Sequence, residues 1–348
     1  MRLGLHIAYW GLGLDADDQM RLVKEAEDLD FQSVWVGEAY GSDAPTILSW
    51  IAARTSKIEV CSGVFQMPAR SAAMTAMTGA TLDQLTGGRF RLGLGTSGPQ
   101  VAEGWHGARF DRPLTRTREY IDVLRMAWRR EKVRYDGKTI QLPLPDGPGK
   151  PLKLTIHTHE DRQIPIYLAA LGPQNTTLCG EIADGWLPVL FSPENVGTTK
   201  GLLEKGAEKA GRSVDDIAIA PICYSAVMDD IDDARDAVRP MTALYVGGMG
   251  SREKNFYNTL VQKYGFEDAA KEVQDLYLDG KKEEAMAALP AELIDTVCLV
   301  GTPDSIGDRL RAYADAGVEQ LLVNPIGDTV EDRVQQLRHL ARAGVAVA

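Results

Sequence analysis

Glu38-Ala39-Tyr40-Gly41-Ser42-Asp43 places two carboxylates and a phenol within one short segment. Such groups hydrogen-bond a polar ring or act as acid and base toward it, while Ser42 or Asp43 equally suits a helix N-cap. Further on, Trp105-His106-Gly107 carries an imidazole, the side chain that moves a proton near neutral pH; an ordinary surface histidine is the alternative. Glu103 stands behind these candidates, and His6, inside an apolar run, is expected to be a satisfied core residue.

Two other segments offer backbone rather than side chains. Gly93-Leu94-Gly95-Thr96-Ser97-Gly98 has the glycine spacing of dinucleotide folds, but that fingerprint must open a helix at once and meet an acidic strand end about 20 residues later. Residues 99–105 make a poor helix start, and Glu119 falls within a helical pattern. A glycine-rich loop that approaches a flat ligand with its backbone fits better. Ala169-Ala170-Leu171-Gly172-Pro173-Gln174-Asn175-Thr176-Thr177 joins a strand to a helix through small residues, and amides at a helix N-terminus suit an anion.

No metal is expected. His157-Thr158-His159-Glu160 has no second ligand cluster at recognisable spacing, and the four cysteines lie far apart.

The elements positioning these residues alternate. Strand-like runs begin at residues 3, 33, 57, 89, 164, 185, 217 and 319, and a helical pattern separates each from the next. The first run is read as 3–9, the third as 57–64, and 133–142 as a hairpin around Asp136-Gly137. Eight βα units predict a TIM (β/α)8 barrel, with a doubly wound sheet as the alternative. The expected organisation is one barrel domain over 1–348, with insertions at about 95–113 (a loop), 133–163 and 251–292 (helical and polar). In a barrel the chemistry sits on the loops after the strands. The segments singled out above fall there.

The net charge of −11 argues against a nucleic-acid partner, and no apolar run reaches the length of a membrane span. The N-terminus lacks the features of a signal peptide, so a cytoplasmic protein with a small-molecule substrate is expected.

Four stretches, 33–39 (SVWVGEA), 62–70 (SGVFQMPAR), 92–99 (LGLGTSGP) and 180–186 (GEIADGW), jointly resemble the luciferase-like monooxygenase superfamily. The closer likeness is to its F420-dependent oxidoreductase branch of actinobacterial type. The resemblance implies a TIM barrel whose mouth holds the deazaflavin ring against Glu38, Gly63, Val64, Thr96, Ser97 and Gly98, with the phosphate at Ala170, Leu171 and Gly172. It also implies a non-proline cis peptide at Gly63-Val64 and a homodimer. The implied activity is hydride transfer between coenzyme F420 and a small carbonyl, alcohol or activated double bond. An FMN-dependent monooxygenase on the same scaffold is the alternative, and a non-catalytic deazaflavin carrier is a second. The chain departs from the sugar-phosphate dehydrogenases of the superfamily in two places: Ala39 stands where they carry His, and Gly98 where they carry Glu. His106, Glu38 and Tyr40 remain as the catalytic candidates.

Overall fold

Short apolar strands buried on both faces form the centre, as a parallel sheet requires when helices cover one face and a barrel interior fills the other. In the computed structural model, which describes residues 1–8 and 13–345, these strands are β1 (Arg2–Ile7), β2 (Ser33–Val36), β3 (Glu59–Ser62), β4 (Phe90–Gly95), β5 (Ile166–Leu168), β6 (Gly185–Trp186), β7 (Ile222–Val227) and β8 (Gln320–Pro325). They pair in parallel in the order β6-β5-β4-β3-β2-β1-β8-β7. The short strand Ala218–Ile219 pairs with β6, and a parallel bridge joins Val189 to Ile222, so the first and last strands of this order meet. The result is the expected (β/α)8 architecture.

Alternation along each strand divides inside from outside. Leu5 and Val34 point to the helices, whereas Trp35, Cys61, Leu187, Ile222 and Leu322 form an interior layer. Trp35 meets Tyr167 edge-to-face, with ring centroids 5.1 Å apart. On this periodicity His6 and Asn324 lie inside the barrel, toward the C-terminal ends of β1 and β8. Tyr9, the last residue of the expected first strand, lies outside the described residues.

Several expectations need correction. β3 ends at Ser62 rather than residue 64, and the chain resumes as Phe65–Gln66 beside β4, where Phe65 pairs with Leu94 and Gln66 with Gly95. The 95–113 segment is not only loop: Pro99–Gly104 is a helix that starts at Gly98, because proline is well suited to a first helical turn. Leu299–Gly301 is a further parallel strand beside β7. It is too short to show alternation in the sequence. The expected hairpin forms between Tyr135–Asp136 and Gln141–Leu142.

Helices Phe256–Lys263, Glu267–Leu278 and Lys282–Ala287 occupy the last insertion. Val261, Ala270, Val273 and Ala285 pack there with Val238 and Leu293 in a separate apolar cluster. The Tyr264 hydroxyl donates to the Leu190 carbonyl at 3.1 Å, tying this layer to the barrel beyond β6. His157 pairs with Asp161, while the His159 backbone amide donates to buried Asp83, which also receives Arg162. The histidine-rich turn thus anchors its insertion. Among the described residues, no helix is long and apolar enough to cross a membrane.

Candidate active site

The end of β2 passes so close to β1 that a Cβ at Gly37 would lie 2.6 Å from the Ala8 carbonyl oxygen. This brings Glu38 under the mouth, where both carboxylate oxygens are used. One accepts the Gln66 amide at 2.9 Å, the other accepts the Ala44 amide at 3.2 Å, and the Arg70 guanidinium reaches both. The two side chains are 7% and 12% exposed. Arg70 also lies over the Phe65 ring, 4.7 Å from its centroid, and contacts Asp43 at 3.4 Å. Asp43, not Ser42, caps helix Ala44–Ala52 by accepting from the Thr46 amide. Glu38 is therefore a clamp joining the β2 end, the next helix and the segment after β3.

That segment contains the bond expected to be unusual. The Gly63–Val64 peptide is cis, and both residues are half-buried at the barrel mouth. Ser62 secures its near side: its hydroxyl donates to the Gly93 carbonyl and accepts the Gly93 amide, both at 2.9 Å. Gly95 leaves room on the far side, since a Cβ there would lie 2.7 Å from Val64 Cγ2.

From the interior, His6 Nε2 approaches the Gly63 carbonyl at 3.3 Å, and His6 Nδ1 faces Asn324 Nδ2 at 3.4 Å. A neutral imidazole satisfies both contacts by donating from Nε2 and accepting at Nδ1. Burial favours that state and pushes the His6 pKa down to about 4. His6 is thus a buried and bonded residue, as expected, and it faces the interior.

Gln66 extends the Glu38 clamp toward the other predicted proton carrier. Its amide side chain is 2% exposed, and its Oε1 lies 2.9 Å from His106 Nε2. With Gln66 accepting, His106 carries a proton on Nε2 and leaves Nδ1 able to take another. The His106 amide donates to Val101, so the short helix after β4 holds this residue in place. Glu103 accepts the Phe110 amide at 2.9 Å. Tyr40 is 62% exposed on the rim and lies close enough to help raise the Tyr277 phenol pKa, for which burial is the larger cause.

Thr96, Ser97 and Gly98 follow β4 as a half-buried turn, with Ser97 in the left-handed region at φ 57°. The loop after β5 is pinned by Trp186, whose indole donates to the Ala170 carbonyl at 2.8 Å. Gly172 begins helix Pro173–Ile182 without a side-chain cap, and a Cβ there would meet nothing within 4 Å. In the first turn the buried Thr176 hydroxyl and the Asn175 Oδ1 have no partner. Uncapped amides, open space and an unused hydroxyl fit an anionic group such as a phosphate.

Glu38 and His106 are thus linked through Gln66, which follows the Gly63–Val64 bond in the chain, with Ala170, Leu171 and Gly172 on the loop after β5. Sequence reasoning did not single out Gln66 or Arg70, although both lie in the quoted 62–70 stretch. Their types carry no catalytic signature.

The model of the luciferase-like monooxygenase family matches residues 6–320. A Mycobacterium tuberculosis protein, named by inference a coenzyme F420-dependent oxidoreductase, is 41% identical over 330 residues, covering 93% of this chain and 94% of the relative. The 5,10-methylenetetrahydromethanopterin reductase of Archaeoglobus fulgidus is 29% identical over 323 residues, covering 90% and 91%. Among solved structures, the coenzyme F420-dependent tetrahydromethanopterin reductase of Methanopyrus kandleri superposes with a TM-score of 0.84 at 25% identity, covering 98% and 97%. Barrel, glycine-lined mouth and a match over nearly the whole chain agree: this protein belongs to the luciferase-like monooxygenase family.

Proposed function

We propose that the chain is an oxidoreductase transferring a hydride between coenzyme F420 and a small organic substrate with a carbonyl, alcohol or activated double bond. The observation that carries this reading is the 41% identity, over 93% of the chain, to a protein named for F420. The mouth offers a matching surface. Gly63, Val64, Thr96, Ser97 and Gly98 would hold the ring, and Ala170, Leu171 and Gly172 would hold the phosphate with the amides and hydroxyl of the following helix turn.

When bound, the deazaflavin supplies a ring carbon that carries hydride. The protein's part is orientation and one proton. His106 exchanges that proton at Nδ1, and Gln66 holds the ring through Nε2. Glu38 keeps the Gln66 backbone in place through its own hydrogen bonds, and Tyr40 is the second donor at the rim. A homodimer and a cytoplasmic location belong to the same reading.

Titration with F420 and with FMN, followed by tryptophan fluorescence, tests it. Saturable quenching by F420 is expected; tight FMN binding with no response to F420 would overturn it.

A further inference from the structure

Beside His6, a cavity of about 280 Å³ opens among the ends of β1, β7 and β8 and the first turns of the helices that follow β1 and β8. His6, Gln19, Tyr224, Met241, Asn324 and Arg333 are among its lining residues. His6 is shared: it also bonds the Gly63 carbonyl. The volume is near the lower limit for small-molecule pockets. A compact ligand fits it.

Two polar groups in its wall are left incomplete. Arg333 donates from Nε to the Gly327 carbonyl at 2.8 Å, but among the described residues no carboxylate lies within ion-pair distance of it. Elsewhere the partly buried guanidiniums Arg70, Arg235 and Arg309 hold Glu38, Asp295 and Glu194. Burial lowers the Arg333 pKa, and the nearby Asp328 charge opposes that shift without reversing it. Gln19 is 3% exposed, its Nε2 reaches the Leu14 carbonyl at 3.5 Å, and its Oε1 has no partner. Gly13, at φ +79°, turns the chain beside Arg333 Nη2 in a backbone conformation that favours glycine.

We propose that this cavity is the substrate pocket, and that it takes a small carbonyl acid whose carboxylate is received by Arg333 and whose hydrogen-bond donor is received by Gln19. This rests on the hydride-transfer reading above. A planar guanidinium pairs with a carboxylate through parallel hydrogen bonds, while a neighbouring amide oxygen disfavours a more highly charged phosphate. In the reductive direction the substrate's carbonyl carbon gains the hydride and its oxygen gains a proton. The product is the alcohol, and the reduced deazaflavin is oxidised by the same two electrons.

The test uses 3-hydroxypyruvate, 5-hydroxy-4-oxopentanoate and 4-hydroxyphenylglyoxylate, each a keto acid with a hydroxyl donor and each against its methyl ester, with binding followed by calorimetry on the full chain with and without F420. At least one acid is expected to bind tenfold or more tightly than its ester. Arg333→Gln should abolish that preference, Arg333→Lys should keep part of it, and Gln19→Leu should weaken the acid several-fold while leaving F420 affinity within twofold. Equal binding of every acid and its ester, no binding of either, a preference that survives Arg333→Gln, or stronger competition by inorganic phosphate would each overturn the proposal. Loss of F420 binding with an intact Arg333-dependent acid preference would instead remove the hydride-transfer reading and leave the acid pocket standing.

Discussion

On the flank built by β2, β3 and β4, Glu38 has a donor for each oxygen, Arg70 has its carboxylate, Ser62 bonds twice to Gly93, and Gln66 meets His106. On the flank built by β1, β7 and β8, Gln19 keeps an unbonded amide oxygen and Arg333 has no carboxylate among the described residues. Buried polar groups are ordinarily satisfied. A flank that completes its own bonds is a rigid surface before any ligand arrives. One that leaves them open gains those bonds from what it binds. His6 stands on the border, with one ring nitrogen turned to Gly63 and the other to Asn324.

Substitutions on the first flank should therefore damage chemistry or folding, in contrast to Arg333. The largest effect is expected for His106→Ala, which removes the proposed proton carrier and should lower turnover about 10²–10⁴-fold. F420 titration should be nearly unchanged, and steady-state rates beside that titration check it. Unaltered turnover would take His106 out of the site.

Glu38→Gln comes next. It leaves the buried Arg70 guanidinium with only the more exposed Asp43 as counter-charge, a change that costs up to about 3–5 kcal/mol, measured by urea unfolding. The double substitution with Arg70→Met should recover part of the loss. A cost no larger than that of Arg333→Gln would erase the contrast between the flanks.

The smallest effect is the pH response of His6. Its ordinary pKa of 6.5 falls to about 4 in the fold, so the unfolded chain binds a proton that the folded protein refuses. The contribution is complete above pH 6.5, declines as the pH falls toward 4 and then levels off, a total of about 3 kcal/mol. Unfolding free energies of the native protein and His6→Gln should converge or cross over that window by about this amount. A gap independent of pH would show that His6 is not the border residue described.

The sequence alone carried the barrel, because each βα unit writes its own local pattern: a short apolar run, a turn and a helical repeat. The loops at Thr96–Gly98 and Ala170–Gly172 stood out because glycine and small residues mark close backbone approach, whereas the cis bond at Gly63-Val64 was implied only by the family resemblance. Leu299–Gly301 escaped because three residues have no measurable period, and helix Pro99–Gly104 because neighbouring glycines mask so short an element.

What Glu38 does was decided only by the tertiary structure. A carboxylate at a strand end reads as acid, base or ligand until Arg70 and Gln66 arrive from another loop and occupy it. His106 acquired its hydrogen-bond partner Gln66 from forty residues away in the chain. The pairing of Gln19 with Arg333 in one cavity depends on β1 and β8 closing the barrel. Local patterns specify local elements; which side chains meet, and which remain unsatisfied, depends on contacts between residues distant in the chain.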